Sequence, residues 1–190
     1  MLRLFVVRHG ETKFNIEHRI QGWCDSPLTT KGIEQAKALS NELKEVDFTA
    51  VYASPLKRAM DTATLLLGNR TQEITLLNDL KELHFGTIEG EEDYKYIAKD
   101  GSSHREGFEK YGGETIAILK KRLMQAMHFI TSNHEEGNIL IVSHGAAIRY
   151  LLQEVMHSED DYFIENCEVT YIDYENGIFK CDEVKQIKGF

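Results

Sequence analysis

The sequence predicts an α/β fold: a three-layer α/β/α sandwich around a mainly parallel central sheet, finished by an antiparallel hairpin at the C-terminus. Three observations carry this expectation. Short apolar runs at 2–7, 48–53 and 138–142 have the length and composition of strands buried on both faces. Stretches with helical periodicity follow them. Near the end, Val169-Thr170-Tyr171-Ile172-Asp173-Tyr174 and Ile178-Phe179-Lys180-Cys181 flank Glu175-Asn176-Gly177, and Asn-Gly is a strong hairpin turn signal.

The elements follow in order. Residues 2–7 run straight into Arg8, so this N-terminal stretch reads as a buried strand; it has neither the length nor the small-residue cleavage pattern of a signal peptide. From Thr29 to Val46, Ile33, Ala36, Leu39 and Leu43 recur at helical spacing, with Thr29 or Thr30 as N-cap. The second strand leads into Ser54-Pro55, an N-cap and first-turn pair, for a helix to about Leu67 that stops at Gly68. Residues 73–77 suit a further strand. After Gly113 a long helix is expected from about Glu114 to His134, with Ile116, Leu119, Leu123, Met127 and Ile130 on one face. The strand at 138–142 feeds a helix from Ala146 to about Met156. Right-handed crossovers are expected between the parallel strands. Residues 91–112, rich in charge, tyrosine and glycine, interrupt the alternation and read as an insertion or lid.

At 190 residues the chain predicts one domain over 1–190, large enough to bury its core without disulfides or metals. Cys24, Cys167 and Cys181 are odd in number and lack CxxC spacing, which suggests neither a disulfide framework nor a zinc cage; a reducing cytoplasm is the expected compartment. No apolar run is long enough to span a membrane. The formal net charge of −9 argues against nucleic acid or an anionic membrane surface as partner. Any anion site must therefore be built locally, from a few well-placed cations.

In open α/β sheets ligands bind beyond the carboxyl ends of the strands. The first strand delivers Arg8, His9 and Gly10; the second delivers Ser54, with Arg58 in the next helical turn; the third delivers Ser143, His144 and Gly145. Taken singly, each has a plainer reading: a strand end with a turn glycine, a core histidine, a solvated helix arginine. Together they bring two guanidiniums and two imidazoles to one sheet edge. Planar arginine forks and helix N-termini suit a phosphoryl dianion.

At these positions the sequence resembles the histidine phosphatase superfamily, which holds the cofactor-dependent phosphoglycerate mutases and related phosphatases. The resemblance spans most of the chain. It rests on Arg8-His9-Gly10-Glu11-Thr12 with Asn15, on Gln21-Gly22-Trp23 through Asp25-Ser26-Pro27-Leu28-Thr29, and on Ser54-Pro55-Leu56-Lys57-Arg58-Ala59 with Thr62-Ala63. Glu82-Leu83-His84-Phe85-Gly86 with Glu89-Gly90, Gly112-Gly113-Glu114-Thr115, and Ser143-His144-Gly145 complete it. It implies that His9 attacks phosphorus to form a phosphohistidine, that Arg8, Arg58 and His144 hold the transferring oxygens, and that Glu82 is the proton donor. Asn15, Gln21 and Gly22 are implied to complete the substrate pocket. Two adjacent guanidiniums would keep His9 neutral and so nucleophilic, and no metal ion is then expected.

The resemblance implies a phosphatase acting on small-molecule phosphate monoesters, with no cofactor. Mutases carry an arginine directly after the proton-donating glutamate, where this chain has Leu83; an asparagine after the second His-Gly, where Ala146 stands; and a paired-arginine segment in the insertion, where residues 91–112 hold only Arg105. The alternatives are a mutase, which would need 2,3-bisphosphoglycerate, a non-catalytic phospho-ligand binding module, and a metallohydrolase. The last is disfavoured because the other histidines lack spacing such as His-Glu-x-x-His. Tyr94, Lys95, Tyr96, Lys99, His104 and Arg105 could bind substrate or form a solvated lid, and Trp23 could cover the leaving group or act as a local clamp. The oligomeric state stays open.

Overall fold

The computed structural model describes residues 1–96 and 107–181. Its sheet consists of β1 (Leu2–Arg8), β2 (Phe48–Ala53), β3 (Ile74–Leu76), β4 (Gly137–Ser143), β5 (Val169–Glu175) and β6 (Ile178–Lys180), in the order β3-β2-β4-β1-β5-β6. The β1–β4, β2–β4 and β2–β3 pairs are parallel, whereas β5 runs antiparallel to β1 and β6 antiparallel to β5. The tail hairpin turns through Asn176 and Gly177, both in the left-handed region at φ 53° and 83°, as a two-residue hairpin turn of this kind demands.

Side chains alternate along the strands and feed two cores. Leu4 and Val6 of β1 pack with Ile139 and Ile141 of β4 against α4 (Ile116–Ser132) and α5 (Gly145–Met156). Phe5 and Val7 pack with Leu140 and Val142 against α2 (Thr30–Glu42) and α3 (Lys57–Leu67) on the opposite face. The result is the three-layer sandwich. A one-turn helix, α1 (Lys13–Ile16), follows β1 and is closed by a capping box between Thr12 and Asn15. No helix among the described residues is long and apolar enough to cross a membrane.

The strand order creates the site. Because β4 lies between β2 and β1, three carboxyl ends are neighbours, with Arg8 opposite Ser143 and Ala53 opposite Val142. The ladder extends one residue further: His9 N–H donates to the Ser143 carbonyl at 3.0 Å and Ser54 N–H to the Val142 carbonyl at 2.9 Å.

Three local expectations are corrected. Thr29 does cap α2, accepting Gly32 N–H, but that helix ends at Glu42 rather than near Val46. The long helix begins at Ile116 with Thr115 as its cap, because Glu114 is engaged elsewhere. Ser54-Pro55 does not start α3. The Ser54 hydroxyl instead meets His144, and Asp25 from a distant loop accepts the first α3 amides, Lys57 N–H at 2.6 Å and Arg58 N–H at 3.4 Å. Of the expected insertion, 93–95 and 109–111 form short 3-10 turns and Phe108 is buried edge-on against Phe85. Lys99, His104 and Arg105 lie outside the described residues.

Candidate active site

His9 follows β1 and is buried. Its Nδ1 lies 2.8 Å from the Gly10 carbonyl oxygen, which can only accept, so Nδ1 carries the proton. Nε2 therefore presents a lone pair, toward which Arg58 Nε–H donates at 3.3 Å. Burial first, then the Arg58 and Arg8 charges, hold His9 well below the ordinary pKa of 6.5. The imidazole is neutral and oriented.

Arg58 is almost fully buried on the first turn of α3, yet every donor finds an acceptor. Nη1 donates to the Cys24 carbonyl and to Asp25 Oδ1, each at 2.9 Å, and Nη2 donates to the Gly22 carbonyl at 2.7 Å and the Gln21 carbonyl at 3.4 Å. The 21–25 loop thus wraps the guanidinium. Gly22 is required there: a Cβ would come within 2.2 Å of Glu89 Oε1 and 2.8 Å of the Leu83 carbonyl. Glu89 ties this loop to the next, accepting Cys24 N–H at 2.7 Å and Phe85 N–H at 3.0 Å.

Arg8 is half-buried at the end of β1, where desolvation of the guanidinium lowers its pKa and Glu82 opposes that lowering. Nη1 donates to the Ile164 carbonyl at 2.6 Å, while Nε is buried without a partner among the described residues. His144, the N-cap of α5, stands edge-on to His9 with ring centroids 5.2 Å apart. Its Nε2 lies 2.8 Å from Ser54 Oγ, which accepts Leu56 N–H at 3.3 Å. The arrangement that satisfies each group sends the Ser54 hydroxyl proton to Nε2, leaving His144 Nδ1 as an N–H donor. That nitrogen is likewise buried and unpartnered. Burial, then Arg58 and His9, lower the His144 pKa well below 6.5.

Glu82 joins the same edge from an irregular segment after β3. Its Oε1 accepts Leu83 N–H at 2.8 Å and Ala147 N–H at 2.9 Å, and Oε2 accepts Ala146 N–H at 3.1 Å, so the carboxylate sits on the positive end of α5. The five residues named from strand ends and the Glu82 motif therefore converge. Asn15 lies beside them through Asn166, whose amide donates to the His9 carbonyl at 3.0 Å and to Asn15 Oδ1 at 3.3 Å. The Gln21 side chain is held by Thr12 and Ser26. Trp23 is a clamp: Nε1 donates to the Glu82 carbonyl at 2.9 Å and its ring stacks on His84 at 4.4 Å.

Sequence reading missed Asn166, Arg122, and the role of Asp25 as helix cap and Arg58 counterion. Asn166 carries no periodic signal. Arg122 does carry one, because it falls between Leu119, Leu123 and Ala126 on the apolar stripe of α4, where a cation is out of place. Among the described residues, no three histidine, cysteine, aspartate or glutamate side chains gather as a metal-binding group.

Comparison with known proteins places this geometry. The model of the histidine phosphatase superfamily (branch 1) matches residues 4–186. A relative from Proteus mirabilis named probable phosphoglycerate mutase GpmB is 31% identical over 189 residues, 93% of this chain and 86% of its own. Bacillus stearothermophilus YhfR superposes with a TM-score of 0.85 at 32% identity, covering 96% of each chain. Phosphoserine phosphatase from Entamoeba histolytica, solved in complex with 3-phosphoglyceric acid, superposes with a TM-score of 0.82 at 29% identity, again over 96% of each.

Proposed function

The chain belongs to branch 1 of the histidine phosphatase superfamily, and from that premise we propose that it is a metal-independent phosphatase of small-molecule phosphate monoesters, acting through a phosphohistidine on His9. The observation that carries this reading is the pairing of a neutral His9 Nε2 with two buried, unpartnered nitrogens nearby, Arg8 Nε and His144 Nδ1. Buried polar atoms are nearly always satisfied. A phosphoryl group bonded to His9 would supply their acceptors.

In the first step His9 Nε2 attacks phosphorus, the bond to the leaving alcohol oxygen breaks, and Glu82 delivers a proton to that oxygen. The Ala146 and Ala147 amides stabilise the carboxylate that Glu82 then becomes. While phosphorus is attached, the positive charge on the ring is held by the Nδ1–H bond to the Gly10 carbonyl. In the second step Glu82 takes a proton from water, the water oxygen attacks phosphorus, and the bond to His9 breaks, releasing phosphate and the neutral imidazole. Arg8, Arg58 and His144 hold the equatorial oxygens throughout, the electrostatic role a metal ion would otherwise fill. Asn15, Gln21 and Gly22 shape the substrate side of the pocket.

Water as the acceptor is favoured by what flanks Glu82. Leu83 is fully buried in the core beneath α5 and offers no cation to a second acid group, and Ala146 presents only a backbone N–H. The name of the Proteus mirabilis relative favours the second reading, a mutase dependent on 2,3-bisphosphoglycerate. A panel of phosphorylated metabolites, assayed with and without that cofactor for both free phosphate and isomerised product, separates the two. Phosphate release without cofactor, lost in His9→Ala, is the expected result; cofactor-dependent isomerisation without release reverses it. Undiminished hydrolysis of p-nitrophenyl phosphate by His9→Ala would remove the nucleophile, and activity lost to a chelator and restored by zinc would remove the metal-independent mechanism.

A further inference from the structure

We propose that Arg122, paired with Glu114, is a positioning residue that aims the carboxylate of Glu82 at the leaving oxygen by clamping the backbone on both sides of it. This rests on Glu82 being the acid, as proposed above.

The segment that carries Glu82 has little regular structure of its own. A single 3-10 turn, Asn78–Leu80, precedes it, and the chain is irregular until Gly86. Such a segment would leave a general acid loosely placed, and small displacements of a catalytic group are costly. Here four successive carbonyls are captured by side chains. Arg122 Nη1 donates to the carbonyls of Asp79 at 2.8 Å and Lys81 at 2.6 Å, and Nη2 donates to that of Glu82 at 2.8 Å. The Leu80 carbonyl is taken at 2.8 Å by the hydroxyl of Ser143, the residue before His144.

Glu114 completes the clamp. It accepts Arg122 Nε–H at 3.0 Å and Nη2–H at 2.5 Å, and also His84 N–H at 2.9 Å. One largely buried ion pair therefore grips residues 79, 81, 82 and 84, with Glu82 inside the span. The guanidinium suits this task because its donors are fixed in one plane, whereas a lysine would bring a single point charge. Its base is α4, a 17-residue helix packed on the sheet through Leu119, Leu123 and Met127. The Glu82 carbonyl also accepts the indole N–H of Trp23, from the loop that wraps Arg58. Burying an ion pair gives little net stability compared with apolar packing, so its place on the apolar stripe of α4 fits positioning better than stabilisation.

Proton donation matters most when the leaving group is poor. The test is kcat/KM, which reports steps through departure of the alcohol, for an alkyl phosphate and for p-nitrophenyl phosphate. Glu82→Gln should lower kcat/KM for the alkyl ester by about 10²–10⁴ and much less for the aryl ester. Arg122→Lys should show the same bias, its loss on the alkyl ester exceeding that on the aryl ester by about tenfold or more. Combined with Glu82→Gln it should add little further loss on the alkyl ester, since both act through one proton transfer. Trp23→Phe removes one donor to the Glu82 carbonyl and keeps the ring; it should show a smaller bias of the same sign, and it decides the matter if Arg122→Lys does not fold. Equal losses on both esters in the folded variants, or multiplicative losses in the double variant, overturn the clamp alone. Equal losses in Glu82→Gln overturn the assignment of the acid, and the clamp with it.

Discussion

At the residue scale the site depends on keeping a buried histidine uncharged beside two permanent cations. The Gly10 carbonyl accepts the Nδ1 proton and favours a charged ring, but burial and the Arg58 and Arg8 charges outweigh it, and Arg58 occupies the side where a second proton would go. The consequence for rate has a definite sign. Protonation destroys the lone pair, and the His9 pKa is lowered well below 6.5, so the proposed nucleophile keeps its lone pair as pH falls through 6.5. Arg58 is the largest charge contribution to that lowering. Replacing it in Arg58→Met should raise the acidic limb of kcat/KM toward pH 6.5 as well as cutting the rate by roughly 10²–10³. Comparing variant and parent on one substrate cancels the titration of the ester itself, and an unmoved limb would show that the arginine does not set the charge state of His9. The meeting of Arg8, His9, Arg58 and His144 at one sheet edge is legible in the sequence because each lies at, or within a turn after, the end of a strand that periodicity locates. Asn166 is not, and Arg122 is legible only as a cation out of place on an apolar stripe, since what makes them matter is contact across 157 and 40 residues of chain.

At the element scale, the same division separates local from distant causes. The Asn176-Gly177 turn and a threonine cap for α2, at 29 or 30, follow from neighbours in the chain and are legible in the sequence; the structure selects Thr29. The sequence places the start of α3 too early because its amides are capped by Asp25, which the fold brings from 32 residues away. A second long-range constraint joins α2 to the strand end that bears His9. Gly32 N–H bonds to the Thr29 hydroxyl in the first turn, and the helix backbone presses so closely on 10–11 that a Cβ at Gly32 would lie 2.1 Å from the Glu11 carbonyl oxygen; one at Gly10 would lie 2.5 Å from the Gly32 carbonyl oxygen. Helix propensity alone makes Gly→Ala favourable by about 1 kcal/mol. The contact with rigid backbone reverses that sign. Gly32→Ala should destabilise by about 1–3 kcal/mol in urea unfolding, through the shift it forces in the Gly10-Glu11 backbone. A stabilised variant would show that the two backbones part easily, and that α2 does not fix the position of His9.

At the scale of the whole molecule, the strand order decides both function and stability. Periodicity foretold a parallel sheet with helices on both faces, but not that β4 enters between β2 and β1, because register and order are set by which apolar faces can be covered together. That order is what buries His9 against His144, so the chain folds around two neutral imidazoles. Folding is thereby linked to pH. In the unfolded chain both take up a proton near the ordinary 6.5, whereas in the fold burial and the arginines push both well below it. Between those limits the unfolded state binds more protons, so the contribution to stability is complete above pH 6.5 and is lost as pH falls toward the folded values. Two such groups give a slope that approaches about 2–3 kcal/mol per pH unit roughly one unit below that point. Asp173, whose pKa Arg3 holds below its ordinary 3.8, titrates too low to contribute there. Urea unfolding between pH 7 and 5 should therefore show a steep loss in the parent and a shallower one in a His9→Asn/His144→Gln variant, even though that variant starts less stable. Parallel curves for the two proteins would mean that the buried imidazoles do not set the acid limit of the fold, and that another group must be charging as it opens.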